Sequence, residues 1–307
     1  MEYKKGQRVK HPVVAEWGVG EVLDDSAGEM VKVFFVGAGE KKLSLKNLAL
    51  VTVEGNEANH LILNNLKIAA GDGVTYRTLP ESIQRFLKEY PGGFYGERFA
   101  RNERDYKVKA HKLIRELLRK DVFEELLVAG NYDEICRRSA KVVNSTNLIF
   151  PNEQMSLKDG FQSADGKREF SNSLYRHLYG DGDLKERFVE FCDQLEKMKA
   201  AKWTTASYFL FLMFPDQYMF VKPTITKNSA DICGFDIRYR PELNWSTYDA
   251  VLRFSQFLRD ELLSADLKPR DMIDVQSFMW CIRPDKTLKS FGKKKTKQAS
   301  ANDSADS

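Results

Sequence analysis

The chain has 307 residues, of which 42% are hydrophobic and 30% charged, and its formal net charge is +4. This length accommodates one small module and one larger domain, and the composition predicts a folded, soluble protein. The nearest candidate for a membrane span, residues 206–214, is too short and ends at Pro215. The first ten residues lack the apolar core of a secretory signal, so we expect a cytoplasmic protein with no membrane partner.

Four cysteines are spread widely along the chain: Cys136, Cys192, Cys233 and Cys281. No CxxC or CxxH spacing occurs, which argues against a zinc site and against a disulfide framework. We therefore expect reduced, buried thiols, no metal site and no cofactor.

The positive charge is concentrated at the end of the chain. Residues 283–307 hold seven Lys or Arg and three Asp, which accounts for the whole net charge. The rest of the chain is neutral, so a general electrostatic attraction to nucleic acid is not predicted. We expect residues 283–307 to form a disordered, Lys-rich tail that adds non-specific affinity for nucleic acid.

Short stretches of alternating apolar and polar residues fill the first fifty positions, which is typical of β-strands. They are QRVKH, GEVLDD, MVKVFFVG and KKLSLKNLALVTV. Because closure removes exposed strand edges, this pattern predicts a small all-β SH3/Tudor-like barrel over residues 1–54. Gly18 and Gly20, beside Trp17, are expected to let the second strand bend sharply.

The stretch GQRVKHPVVAEWGVGEVL, followed by VKVFF and GEKKLSL, resembles the Tudor-like small-barrel family over roughly residues 3–54. That family includes a module appended to UvrD/PcrA-type helicases, CarD-type modules that bind RNA polymerase, and a bacterial domain of unknown function. The resemblance implies a docking module without catalysis, which contacts its partner through a strand edge. Its predicted partner-binding residues here are Arg8, Lys10, His11, Trp17 and Phe34.

The charge balance of this module favours a protein partner over DNA. Residues 1–54 carry eight basic and eight acidic side chains, whereas a DNA-binding barrel is usually basic. Trp17, Phe34 and Phe35 are also residue types that form aromatic cages around methylated side chains. The alternative is that these rings belong to the core or lid of the barrel.

Residues 55–80 are interpreted as a linker. Beyond it, apolar residues recur at helical spacing, which predicts a mainly helical domain over residues 81–282. Its long helix, residues 102–120, should bury Tyr106, Ala110 and Leu117. A later helix is expected to begin at a capping box formed by Ser246 and Asp249.

A basic stripe is predicted on the exposed side of the long helix. Residues 98–120 carry nine basic and three acidic side chains. A stripe of this kind can follow a phosphate backbone, and the alternative is an ordinary solvated helix face. The stripe residues are Arg101, Arg104, Lys112, Arg115 and Arg119.

A second candidate for contact with nucleic acid is the stretch of residues 219–248. Aromatic residues alternate there with Lys222, Lys227, Arg238 and Arg240. Rings that stack on bases and cations that hold phosphates are typical of grooves for single strands. The alternative is an ordinary connection attached to the helical core by its aromatic side chains.

No motif of a known reaction is evident, since phosphate-binding loops and nucleophile elbows are absent from the sequence. The stretch ERDYK contains Glu103, Asp105 and Lys107, the residue types of metal-dependent nucleases, but i and i+2 do not share a helix face. Asp271 and Asp274 are interpreted as partners of a helix N-terminus.

These observations favour a non-catalytic docking or adaptor protein of the bacterial transcription or DNA-repair machinery. The barrel would bind a protein such as RNA polymerase, and the helical domain would contact nucleic acid. The alternative is a nucleic-acid-processing or phage-defence enzyme whose active site is assembled from separated residues. Two carboxylates and a lysine that converge in one cleft would favour the enzyme.

Overall fold

The computed structural model describes residues 2–67 and 78–283. An antiparallel sheet at the N-terminus precedes a mainly helical region. The strands are β1 (Arg8–Lys10), β2 (Val19–Val22), β3 (Met30–Phe35), β4 (Gly39–Ser44) and β5 (Val51–Thr52). The helices are α1 (Leu61–Asn64), α2 (Leu79–Glu89), α3 (Glu97–Phe99), α4 (Asp105–Leu117), α5 (Lys120–Val128), α6 (Tyr132–Asn144), α7 (Pro151–Asp159), α8 (Ala164–Tyr179), α9 (Leu184–Lys197), α10 (Trp203–Met213), α11 (Pro223–Ile232), α12 (Trp245–Ser264) and α13 (Met272–Cys281). The predicted tail, beyond residue 283, lies outside the described residues, as do residues 68–77 of the predicted linker.

The five-stranded sheet is open, so the prediction of a closed barrel is wrong. The strand order is β4-β3-β2-β1-β5, which leaves β4 and β5 as its two edges. β5 consists of only two residues, which pair with Val9 and Lys10 of β1. Within the described residues β4 pairs with β3 alone, so the two edges do not meet and the sheet does not close.

The alternation along β3 divides its side chains between two hydrophobic cores. Val31, Val33 and Phe35 pack with β1 and β2 residues in a core of the sheet's own. Phe34 points to the opposite face and joins the core of the helical region. The predicted alternation is therefore confirmed, and on the second face of β3 Phe34 is buried while Met30 and Lys32 are partly exposed.

Glycine is required at positions 18 and 20 for different reasons. Gly18 has a φ of +68° and follows the 3₁₀ turn Ala15–Trp17, a conformation that other residues rarely adopt. At Gly20 a Cβ atom would lie 2.7 Å from a ring carbon of Phe35. This position therefore admits no side chain while β2 and β3 pack as they do.

The sheet is attached to the helical region through both side chains and backbone. Phe34 is 3% exposed, and its ring faces Gly234, just after α11. The chain beyond α1 forms a β-bridge between Leu66 and Phe235. The adjoining amides donate hydrogen bonds from Lys67 to Gly234 (3.0 Å) and from Asp236 to Asn65 (2.8 Å). The start of the predicted linker is thus part of this junction.

The centre of the helical region is α10, in which every residue is buried. Helices α4, α8 and α9 pack around it. The capping box predicted at Ser246 is wrong: Asn244 is the N-cap of α12, because its side chain accepts a hydrogen bond from the Thr247 amide at 2.8 Å. In the described part of the chain no helix combines the length and apolarity needed to cross a bilayer.

Candidate functional site

Three of the five predicted partner-binding residues are engaged in ion pairs or in the junction with the helical region. Arg8 forms an ion pair with Glu21 and donates to the Asn64 side chain on α1. Lys10 pairs with Glu57 at 2.9 Å. Phe34 is buried in the junction described above.

The other two, His11 and Trp17, lie together at one end of the sheet. Nδ1 of His11 accepts hydrogen bonds from the amides of Val13 (3.2 Å) and Val14 (3.0 Å), which fixes the loop after β1. The ring centroids of His11 and Trp17 are 4.8 Å apart, and Nζ of Lys41 on β4 lies 5.6 Å from the Trp17 ring. Val13 is 82% exposed. We call His11, Val13, Trp17 and Lys41 the sheet-end surface.

The aromatic cage considered from the sequence is not formed by these rings. The Trp17 ring packs on Phe35 at a centroid distance of 5.1 Å, and Phe35 is buried in the core of the sheet. Phe34 points the other way, toward the helices. Phe34 and Phe35 therefore belong to hydrophobic cores, and Trp17 covers the core of the sheet with Lys41 over its indole ring.

Four residues of the predicted basic stripe are exposed, and one is not. Arg101, Lys112, Arg115 and Arg119 lie at the surface, and Arg119 pairs with Asp121 at 2.8 Å. Arg104 instead points inward, with a side chain that is only 12% exposed. The structure thus separates Arg104 from the other four, for which contact with a phosphate backbone stays a prediction.

Arg104 holds two carboxylates at the start of α13. Its guanidinium contacts Asp271 at 2.6 and 2.7 Å and Asp274 at 2.8 Å. Burial alone would lower the pKa of Arg104, but the hydrogen bonds and charges of the two aspartates outweigh it and raise the pKa. Asp271 is also the N-cap of α13, as the sequence predicts, and Arg270 pairs with Asp274 as well.

The basic residues of the stretch 219–248 have different surroundings in the structure. Lys227 lies over Tyr239 at 5.0 Å, and the exposed Arg238 reaches Asn65 at 3.4 Å. Arg240 is exposed, and its carbonyl accepts a hydrogen bond from the Trp203 indole at 2.9 Å. Lys222 faces a separate pocket. The rings of Phe220, Phe235 and Tyr248 are buried in the core, where they cannot stack on bases.

The pocket that contains Lys222 lies in the helical region and is lined mainly by polar side chains. It has a volume of about 150 Å³. One wall follows a π-helical turn at Ala100–Arg104, a type of distortion that is frequent at functional sites. Its lining residues are Asn102, Glu103, Tyr106, Lys107, Asn147, Leu148, Lys222, Gln276 and Trp280. We call it the Lys222 pocket.

Lys107 forms the floor of this pocket and is 1% exposed. Its ammonium group donates to Oε1 of Gln276 at 2.6 Å and to Oγ of Ser277 at 2.7 Å. Burial lowers its pKa to about 8, against the opposing effect of Glu103 at 3.8 Å. Because Gln276 uses its carbonyl oxygen for Lys107, its amide NH₂ remains available as a donor.

Glu103 is the carboxylate of the pocket. Burial raises its pKa, although Lys107 and a hydrogen bond from the Tyr90 hydroxyl at 3.3 Å act in the opposite direction. Glu103 and Lys107 are four residues apart and therefore face the same side, whereas Asp105 is exposed elsewhere on the helix.

Lys222 lies between two aromatic rings at the mouth of the pocket. Its Nζ is 4.6 Å from the centroid of Phe150 and 5.7 Å from that of Trp280. Burial lowers its pKa. Its closest polar contact is the Leu148 carbonyl at 3.4 Å, and no carboxylate of the described chain comes within ion-pair distance. Arg283, at the end of the described chain, stacks on Trp280 at 3.7 Å.

The pocket combines one carboxylate with two lysines. The two-carboxylate arrangement of a metal-dependent nuclease is thus not found in this cleft, and across the described ranges no three His, Cys, Asp or Glu side chains are placed to hold a metal ion. The convergence of these residues in a pocket was not predicted from the sequence. The sequence feature that could have indicated the pocket is Lys107, a charged residue on the apolar face of α4, three residues before Ala110 and seven before Ile114.

Comparison with known proteins identifies only the first sixth of the chain. Residues 3–53 match a family described as a protein of unknown function, DUF3553. No curated protein and no solved structure matches the chain. The matched segment begins just before β1 and ends just after β5, so it coincides with the open sheet.

Proposed function

We propose that this protein is a non-catalytic docking protein of the bacterial transcription or DNA-repair machinery, and that its sheet-end surface binds RNA polymerase. The observation that carries the proposal is the presentation of Val13, an apolar side chain left 82% exposed on a loop fixed by His11. A loop that is already ordered loses less conformational entropy on binding, and the adjoining Trp17 belongs to a residue type that often dominates the binding energy at protein interfaces.

The neighbouring edge strand supports the same assignment. β4 has one free edge in the described structure, and its Lys41 covers the Trp17 ring. The Tudor-like family, which this segment resembles, contacts its partners through a strand edge. A free edge that adjoins an exposed apolar loop offers backbone hydrogen bonds and a hydrophobic contact on one continuous surface.

The test is a titration of the full chain against purified bacterial RNA polymerase, with two adjacent lysines of β4 compared. Lys41→Glu changes the sheet-end surface, whereas Lys42→Glu changes the opposite face of the same strand. We expect Lys41→Glu to weaken binding about tenfold or more and Lys42→Glu to leave it within about twofold. Equal effects of the two variants, or no binding by the wild type, would contradict the proposal.

A second candidate function, a nucleic-acid-processing enzyme, is favoured by one observation. Glu103 and Lys107 face one pocket, and both have pKa values displaced by burial, a pattern that is concentrated at active sites. A turnover assay with single- and double-stranded DNA, comparing the wild type with Glu103→Gln, tests this candidate. Cleavage that is lost in the variant would favour the enzyme.

A further inference from the structure

Among the described residues, the Lys222 pocket is lined by more lysines than carboxylates. Lys107 and Lys222 line it, whereas Glu103 is the carboxylate present, and burial shifts that group toward its neutral form. Glu103 is moreover engaged by Tyr90 and lies 3.8 Å from Lys107. The direct contacts of Lys222 are the faces of two rings and one carbonyl. The charge of Glu153 acts on Lys222 only from beyond ion-pair distance, and this carboxylate accepts hydrogen bonds from the Phe150 amide and the Thr204 hydroxyl.

A half-buried cation without a carboxylate partner is costly, because its lost hydration is not replaced by an opposite charge. Such a group becomes favourable when a bound anion supplies that charge. Its flanking rings, Phe150 and Trp280, hold the ammonium in place and exclude water from two sides. The site is thus preorganised for an anion that enters between Lys222 and the pocket floor.

The remaining donors and the size of the pocket indicate which kind of anion fits. Gln276 offers an amide NH₂, and Asn102 and Asn147 add two more side-chain amides to the lining. A volume of about 150 Å³ is well below that of sites for drug-sized ligands. It accommodates one tetrahedral group and the first atoms attached to it. A phosphate monoester has three terminal oxygens that accept hydrogen bonds and a charge near −2, so it fits the lysine and amide donors of the pocket.

We propose that the Lys222 pocket binds a phosphate monoester group, with Lys222 as its principal charge partner and Gln276 as a neutral donor. This inference does not depend on the docking role of the sheet-end surface, which lies on a different part of the chain. The group can belong to a free phosphate compound or to the 5′ end of a nucleic acid, since the terminal phosphate is chemically the same.

The experiment is calorimetric titration of the full chain with four probes: inorganic phosphate, adenosine monophosphate, a 5′-phosphorylated oligothymidylate and the same oligonucleotide with a 5′-hydroxyl. The key variant is Lys222→Met, which keeps the apolar stem between the rings. Its matched control is Lys227→Met, which removes the same charge from a lysine that also lies over an aromatic ring but outside the pocket. Lys222→Arg retains the charge.

We expect each probe that carries a monoester to bind the wild type and to bind Lys222→Met about tenfold more weakly. Lys227→Met should change the affinity for inorganic phosphate and adenosine monophosphate by less than about twofold, and Lys222→Arg should retain most of the binding. If the 5′-phosphorylated oligonucleotide binds more tightly than the two small probes, the natural ligand is the 5′ end of a nucleic acid. If the two small probes bind more tightly, the natural ligand is a free phosphate compound. Absence of binding by every monoester, or equal affinity of Lys222→Met and wild type, would overturn the assignment.

Discussion

The ring of Phe34 in the N-terminal sheet lies directly against the Cα of Gly234 in the helical region, so close that a Cβ atom at residue 234 would be 2.8 Å from Cζ of the phenylalanine. This contact and the bridge between Leu66 and Phe235 fix the sheet to the helices. The sheet-end surface consequently belongs to a sheet that is packed against the helical region.

The junction predicts a large effect of a very small substitution. Gly234→Ala adds a Cβ that meets Phe34, at a residue whose φ is +71°. We expect a loss of about 1–3 kcal/mol in the free energy of unfolding, because the added methyl group and the left-handed backbone are both unfavourable. Denaturant titration measures this value. Gly182→Ala, where the nearest atom lies 3.6 Å away, is the control and should have a much smaller effect.

The ion pairs at the start of α13 predict that Arg104 serves stability. Arg104→Ala leaves Asp274, which is fully buried, with Arg270 as its remaining cation. Removal of one partner from a buried ion pair typically costs about 3–5 kcal/mol. Arg101→Ala, at an exposed position of the same π-helical turn, should change stability by less than about 0.5 kcal/mol. Equal free energies of unfolding for the two variants would contradict this role of Arg104.

Burial of His177 predicts a specific loss of stability in acid. The ring stacks on Phe191 at 4.3 Å, and burial lowers the pKa of His177 to about 3 from an ordinary value of 6.5. Between these values the unfolded chain binds one more proton than the folded protein, so stability falls as the pH falls below 6.5.

His177→Phe abolishes this proton linkage. Between pH 6.5 and 4.5 we expect the stability difference between wild type and variant to shift by about 2–3 kcal/mol in favour of the variant. Urea titrations at several pH values measure it, and the carboxylates common to both proteins cancel in the difference. Parallel pH profiles for the two proteins would show that His177 does not carry the effect.

The four exposed residues of the basic stripe predict that the affinity for DNA depends on salt concentration. Each Lys112→Glu or Arg115→Glu substitution should weaken binding to DNA of any sequence, and loss of each phosphate contact should reduce the salt slope by about 0.9. Fluorescence anisotropy over a range of salt concentrations provides the slope. An unchanged slope would favour the alternative, an ordinary solvated face.

The sequence predicts the elements of this fold better than their assembly. Alternation in residues 31–35 places Val31, Val33 and Phe35 on one face because a strand has a strict period of two. Barrel closure could not be predicted in the same way, because it depends on the length and pairing of β5, which is set by a few backbone hydrogen bonds. The family match at residues 3–53 does not extend to the helical region.

The pocket illustrates the same limit for function. Helical spacing alone brings Glu103 and Lys107 to one face, and Lys107 on the apolar side of α4 was a readable signal. The other residues come from distant parts of the chain: Asn147 after α6, Lys222 before α11 and Gln276 on α13. Their convergence is a consequence of tertiary packing, in which α13 contacts α11 and the π-helical turn while α4 contacts α6. A single sequence contains no local pattern for such packing.

The docking role is tested most directly by the affinity of the full chain for purified RNA polymerase when a charge replaces an exposed valine. Val13→Asp places the charge on the sheet-end surface, and Val128→Asp places it at a position 90% exposed in α5, so neither change disturbs a core. We predict that Val13→Asp weakens binding at least about tenfold while Val128→Asp leaves it unchanged. Retention of full affinity by Val13→Asp would contradict the account.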